Sequence, residues 1–333
     1  MSRSTPPDDP DRTPRMTPAR ASIDWIAIAL CAVIWGTTWH AITLQLAAAD
    51  PLVSVVYRFC IATVLLFGWS AARAERIALS ARQHAAALGM GLCTFAVDYA
   101  CVYEAETRVV SAAVAVMFGA TALINIVVFR LVFAQRSAAG AWLAAALGVL
   151  GVALLSFGEV AHAGFDRRAL GGLALALLAV LGAVGGNVFA RRAEQAGAPI
   201  AASTGWAMGY GALLLAIFAL ATGRRWSVEL SGRYLGSLAY LAVFGSVIAF
   251  LLYYGVARRR GYTVATYITA LTPLIAMLMS SLFEGKRWGG LAVIGVALVV
   301  LGQWLLLRTQ RASAAASASS RSAVPRSRAP ASS

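Results

Sequence analysis

Apolar residues run along this chain in long blocks, cut by short polar punctuation, from Ile23 to Leu307. A helix needs ~20 apolar residues to cross the hydrocarbon core of a bilayer. Ten blocks meet that length: 23–46, 51–72, 85–104, 109–129, 138–157, 170–190, 200–222, 236–257, 262–283 and 289–307. Between them lie Asp50-Pro51, Ser80 to His84, Gly197 to Pro199, Gly223 to Trp226 and Gly261. Several connections are only a few residues long, so neighbouring spans run antiparallel. Only helices satisfy their own backbone at this depth. The pattern therefore predicts an all-α integral membrane protein with ten transmembrane helices.

Composition agrees. Of 333 residues, 60% are hydrophobic and only 13% charged, against roughly 25% charged in a soluble domain. The net charge of +14 would suit a nucleic-acid binder, but the arginines sit in short loops and tails between apolar spans, where positive charge sets topology. With the N-terminus in the cytoplasm, cytoplasmic segments hold 19 basic residues and external loops 8, so both termini are expected to be cytoplasmic. Residues 1–22 carry charge and proline and lack an apolar signal core, so the first span is expected to act as an uncleaved anchor. Residues 1–22, and the Ser/Ala/Pro/Arg-rich residues 311–333, read as disordered tails. Cys31, Cys60, Cys93 and Cys101 all lie inside apolar spans without metal-ligand spacing and read as packing residues. No Walker loop, HExxH or GxSxG is present, and no metal or cofactor is implied.

The two halves, 23–157 and 170–307, echo one another at an offset of about 151 residues. DYACVYEAETRVVSAAVAV (98–116) overlays AFLLYYGVARRRGYTVATY (249–267), placing Tyr103 on Tyr254. GVLGVALL (148–155) overlays VVLGQWLL (299–306), placing Gly151 on Gly302. The first helix of each half carries a small or polar break, Trp35-Gly36-Thr37 and Gly185-Gly186-Asn187. Each half has an odd number of spans, so the second is expected to sit upside down relative to the first. Inverted repeats of this kind bind substrate between the halves near the midplane, as in many secondary transporters.

Together, IWGTTWHAI in the first helix, YRF in the second and LTPLIAMLMSSLFEGKRWGGLAVIGVALVVLG in the last two resemble the EamA-type ten-helix transporters of the drug/metabolite transporter superfamily, over residues 23 to 307. The last segment has that family's mid-helix Pro273, an acidic residue eleven positions on (Glu284) and a Gly-rich closing helix. The first half departs from the pattern, with Ala122 near the Pro position and Phe133 to Gln135 near the Glu. The resemblance implies a multi-pass protein of a bacterial inner membrane that moves small metabolites, amino acids or their derivatives, often as efflux, by alternating access.

Charged groups inside a bilayer are costly and are functional candidates by default. Arg58 in the second span lies ~12 Å below the outer edge and Asp98 in the third ~15 Å, at 1.5 Å per residue. His40 in the first span lies at a similar depth. An Arg58–Asp98 ion pair is therefore geometrically possible, and the three residues form a candidate outer polar cluster. Arg58 could bind an anionic group, while Asp98 or His40 could exchange a coupling proton. The alternative is a structural pair that ties three helices together. Trp35, Trp39, Tyr57, Tyr99, Tyr103, Asn125, Asn187, Trp206, Tyr210, Tyr254 and Tyr267 are candidates to line a cavity or form interfacial belts. Pro273 is a candidate hinge, and Glu284 reads as a turn or cap. The expected partners are a small-molecule substrate and the lipid bilayer. A membrane-embedded transferase would need paired catalytic groups on a substantial loop, and the loops are too short. A receptor or scaffold is the remaining alternative.

Overall fold

The computed structural model describes residues 18–46, 49–135, 139–162, 166–265, 267–285 and 287–322. Among these residues there is no strand. The helical stretches are α1 (Pro18–Leu46), α2 (Pro51–Ala72), α3 (Ala81–Glu106), α4 (Ser111–Phe133), α5 (Ala139–His162), α6 (Arg167–Gln195), α7 (Ile200–Ala221), α8 (Gly232–Arg260), α9 (Tyr267–Phe283, preceded by the short turn Tyr262–Ala265) and α10 (Gly290–Ser322). Seven of them, α1–α4 and α6–α8, are long and apolar enough to cross a membrane; shorter apolar stretches, Ala139–Leu154, Leu271–Phe283 and Gly290–Gly302, occupy α5, α9 and α10. Large apolar side chains such as Val64, Leu131, Leu220 and Leu282 point outward, as expected of a surface solvated by lipid.

Local chemistry sets the helix ends. Asp50 caps α2, its Oδ1 accepting from the backbone N–H groups of Leu52 (2.9 Å) and Val53 (3.3 Å), with Pro51 at the first helical position. Ser80 and Gln83 form a reciprocal capping box at the start of α3. Gly261 ends α8 with φ +89°, a conformation that disfavours any side chain. Two ends differ from the sequence reading. α1 begins at Pro18, and α10 continues to Ser322, because the alanines of the tail are strong helix formers. Residues 1–17 and 323–333 of the expected tails lie outside the described residues.

Contacts between helix ends fix the direction of each helix. The start of α1 meets the end of α8 (Asp24 with Arg259 and Arg260), and the start of α3 meets the end of α6 (Gln83 Nε2 to the Ala196 carbonyl). At the opposite end of the bundle, the start of α2 meets the end of α7 (Asp50 with Arg224), and the start of α6 meets the turn after α3 (Arg168 to the Thr107 carbonyl). α1 and α6 thus start at opposite ends. Packing also repeats under a shift of five helices. α2 lies on α7 and α5 on α10; α1 against α9 matches α6 against α4, and α1 against α8 matches α6 against α3. Glycines allow the closest approaches: a Cβ on Gly151 would run into the Gly295 carbonyl, and one on Gly302 into that of Ala144.

The third helix of each half departs from α-helical winding. Gly91–Asp98 in α3 and Leu241–Ile248 in α8 are π-helical, 150 residues apart. Such segments are rare and concentrate at functional sites.

Candidate functional site

A cavity of about 100 Å³ lies between the halves. This is small beside the roughly 300–1,000 Å³ of sites for drug-sized ligands. α1 contributes Trp35, Thr38, Trp39 and Ile42, α3 contributes Thr94, Asp98 and Tyr99, and α8 contributes Phe250, Tyr253 and Tyr254. Arg58, Thr121, Asn187, Thr269 and Thr272 complete its polar lining. The walls are largely aromatic: Trp35 meets Phe250 edge-on with centroids 5.2 Å apart and Tyr253 at 5.3 Å, and Trp39 meets Phe118 at 5.4 Å.

Arg58 is 1% exposed. A guanidinium at this depth needs partners, and these are neutral. Its Nε donates to Ser246 Oγ at 2.9 Å, its Nη1 lies 3.5 Å from the Tyr103 hydroxyl, and its Cζ sits 4.7 Å from the centre of the Tyr99 ring. The π-helical stretch of α8 presents Ser246. Gly245 beside it leaves room for the guanidinium, since a Cβ there would lie 3.1 Å from Nη2. The Gly245 carbonyl also accepts from Trp35 Nε1 at 3.2 Å.

Asp98 closes the π-helical stretch of α3. It is 4% exposed, and its Oδ1 has no hydrogen-bond partner. The ion pair suggested by matched depth is not formed, because the guanidinium donors are turned to Ser246 and Tyr103. Both charges nevertheless border one cavity. The two π-helical stretches thus deliver Asp98 and the Ser246–Gly245 seat of Arg58 to the same place.

The other sequence candidates divide. Trp35, Trp39, Tyr99, Asn187 and Tyr254 line the cavity. Asn125 stands behind it, its Oδ1 accepting from Asn187 Nδ2 at 3.4 Å, while Asn187 Oδ1 accepts from the Tyr253 hydroxyl at 3.1 Å. His40 does not join Arg58 and Asp98. One residue on from Trp39, it is turned about 100° around α1, where it stacks on Phe283 at 4.6 Å and faces Glu284 at 3.9 Å. Tyr57 likewise points from Arg58's helix to Trp226. Trp206 and Tyr210 form a separate group with His84. The side chain of Tyr267 lies outside the described residues. Pro273 sits inside α9, close to where that helix meets the break in α1: a Cβ on Gly36 would lie 2.5 Å from Ile275.

Sequence reading missed Thr94, Phe250, Tyr253, Thr272 and Ser246. Serine, threonine and phenylalanine are ordinary in apolar spans and give no signal by type. Only the echo, which places α8 in register with the charged stretch of α3, could have pointed to Ser246 and Tyr253. Among the described residues no cluster of His, Cys, Asp and Glu has a metal-binding arrangement.

Known proteins carry the same architecture. A solved crystal structure superposes with a TM-score of 0.67 at 18% identity, covering 87% of this chain and 98% of that one. The uncharacterized inner membrane transporter YedA of Escherichia coli K12 is 26% identical over 82% of this chain and 89% of its own length. Protein PecM of Dickeya dadantii is 24% identical over 80% and 86% respectively. The description of the EamA-like transporter family matches twice, at residues 23–157 and 170–308. The two matches take in both halves of the bundle and every residue around the cavity: this chain is a membrane transporter and belongs to the EamA-like transporter family.

Proposed function

We propose that the chain exports a small zwitterionic metabolite, of the amino-acid class with an apolar or aromatic side chain, by alternating access between two inverted five-helix halves. The observation that carries this reading is the cavity itself. It holds one buried arginine and one buried aspartate that form no ion pair with each other, set in aromatic walls. Arg58 is suited to a carboxylate and Asp98 to an ammonium group, which the surrounding rings also favour. Trp35, Phe250 and Tyr253 suit the remaining apolar part. The small volume argues for a metabolite rather than a bulky drug.

All ten helices are taken to cross the inner membrane, with both termini cytoplasmic as the arginine distribution favours. The shift-of-five packing supports a pseudo-two-fold axis about which one half rocks against the other. Pro273 is the proposed hinge of α9. Outward direction follows from the family resemblance.

Counterflow in proteoliposomes tests the substrate class. Labelled phenylalanine should exchange, while phenethylamine, lacking the carboxylate, and phenylpropionate, lacking the ammonium, should compete at least tenfold more weakly. Equal competition by either analogue would exclude the zwitterion reading.

A further inference from the structure

Buried polar atoms in a folded chain nearly always have a hydrogen-bond partner, and two uncharged side chains of the cavity wall break that rule. Trp39 is 8% exposed and Thr121 2%, both line the cavity, and neither Trp39 Nε1 nor Thr121 Oγ1 has a partner. Each departs from others of its type in this chain. Trp35 Nε1 donates to the Gly245 carbonyl, Trp206 Nε1 to that of Ile77 and Trp288 Nε1 to Ser281 Oγ. The hydroxyls of Thr37, Thr38, Thr43, Thr107 and Thr222 each donate to a backbone carbonyl three or four residues back. Thr272, the counterpart of Thr121 at the offset of the echo, does the same, to Thr269 at 3.0 Å.

The winding of α4 accounts for the difference. Over Phe118–Ala120 it tightens to a 3₁₀ turn, and the Phe118 carbonyl, three residues back from Thr121, accepts the Thr121 backbone N–H. At three residues per turn, side chains three apart lie one above the other, so Phe118 and Thr121 share a face. Trp39 meets that face, its ring 5.4 Å from Phe118 and edge-on to it. The indole N–H and the threonine hydroxyl therefore belong to one wall, between α1 and α4. Trp35, one turn earlier on α1, leans the other way, onto α8, where Ser246 seats Arg58. Asn125, one turn beyond Thr121, is engaged by Asn187 and does not line the cavity.

We propose that Trp39 and Thr121 form a neutral polar subsite that takes an uncharged oxygen, a hydroxyl or an amide carbonyl, on the side chain of the substrate. This rests on the amino-acid reading and narrows it: Arg58 and Asp98 take the α-carboxylate and α-ammonium, and the wall between α1 and α4 reads the side chain. An indole N–H only donates, and a hydroxyl donates or accepts, so the pair suits an oxygen. Arg58 and Asp98 are the charged side chains of the lining among the described residues, and a second carboxylate would need a cation of its own. A side chain without oxygen leaves both groups dry and unpaired, and that penalty is the source of discrimination.

Calorimetric binding to the full chain in detergent tests the subsite with three pairs matched in size: tyrosine and para-methylphenylalanine, glutamine and norleucine, threonine and valine. In at least one pair the oxygen-bearing member should bind roughly tenfold or more tightly, as for a buried group left unpaired by its analogue. That ratio should fall toward one in Trp39→Phe, which keeps a ring against Phe118, and in Thr121→Val, which is isosteric. Thr121→Ser, which restores the hydroxyl, should recover it, and size-exclusion profiles check the fold of each variant. Ratios near one in all three wild-type pairs, as expected if the two groups only hold a water, overturn the subsite. A ratio that survives both substitutions places the recognition elsewhere and overturns it too, as does a variant that weakens both members of a pair equally. If none of the six amino acids binds, the zwitterion reading itself is lost, and its narrowing with it.

Discussion

A buried arginine in a lipid-embedded bundle either holds helices together or waits for an anion, and the partners of Arg58 allow the two roles to be separated. Its bonds are to a serine and a tyrosine, which a lysine ammonium can reach in part. A lysine cannot reproduce a planar two-pronged grip on a carboxylate. Arg58→Lys should therefore keep the thermal midpoint within a few degrees and weaken phenylalanine binding by tenfold to a hundredfold, corresponding to roughly 1.5–3 kcal/mol for a charge-assisted hydrogen bond. Loss of folded protein instead would make the residue structural. Asp98 has an oxygen with no partner to lose. Asp98→Asn should leave expression intact and shift the competition profile toward phenylpropionate in counterflow. The two residues were legible in the sequence because a charge inside an apolar run is rare whatever surrounds it. Thr121 was not, since threonine is ordinary in an apolar span and only the fold shows its hydroxyl without a partner. His40 and Tyr57 show a further limit. Depth along a helix can be counted from sequence, but the direction around the axis depends on where the neighbours pack.

At the scale of elements, hydropathy located apolar helices, seven of them long and apolar enough to cross a membrane, because a lipid-facing helix leaves its mark in residue type. Local winding leaves no such mark. LCTFAVD and AVFGSVI read as plain apolar helix, yet both are π-helical and together they set the charged site. Gly245 is where this geometry is most sensitive. A side chain there would meet Thr38 Cγ2 at 2.8 Å and Arg58 Nη2 at 3.1 Å, so the guanidinium must move while the helix backbone need not. Gly245→Val should lower phenylalanine exchange at least tenfold with little change in the amount of folded protein. Overpacking of this kind costs typically 1–3 kcal/mol. Unaltered exchange would mean that the position of Arg58 is not critical.

Across the whole molecule, arginine–carboxylate pairs join the halves at both ends of the bundle. Where α1 starts, Asp24 is 4% exposed and takes Arg259 at 2.8 Å and Arg260 at 2.7 Å. This clasps the first helix of one half to the third helix of the other. The corresponding contact at the opposite end, between α3 and the start of α6, is a single bond from Arg168 to a backbone carbonyl. At that end Arg224, at the end of α7, joins the halves instead, through Asp50 and Glu104, and under the proposed alternating access the Asp24 clasp breaks when its own end opens. Arg259 is half exposed and Arg260 partly so, which limits each bridge to about 1 kcal/mol. Losing both is worth ~1–2 kcal/mol, a factor of roughly 5–30 in a two-state ratio. Asp24→Asn should then raise the rate at which a membrane-impermeant maleimide, applied from the side where α1 starts, labels a cysteine placed at Thr38 in a background without native cysteines, and by that factor. Labelling from the other side should fall, since one population grows at the expense of the other. If both rates rise together, the substitution has loosened the bundle instead of tipping a balance. If neither changes, the clasp is a surface feature and the closure of that end lies in its apolar packing.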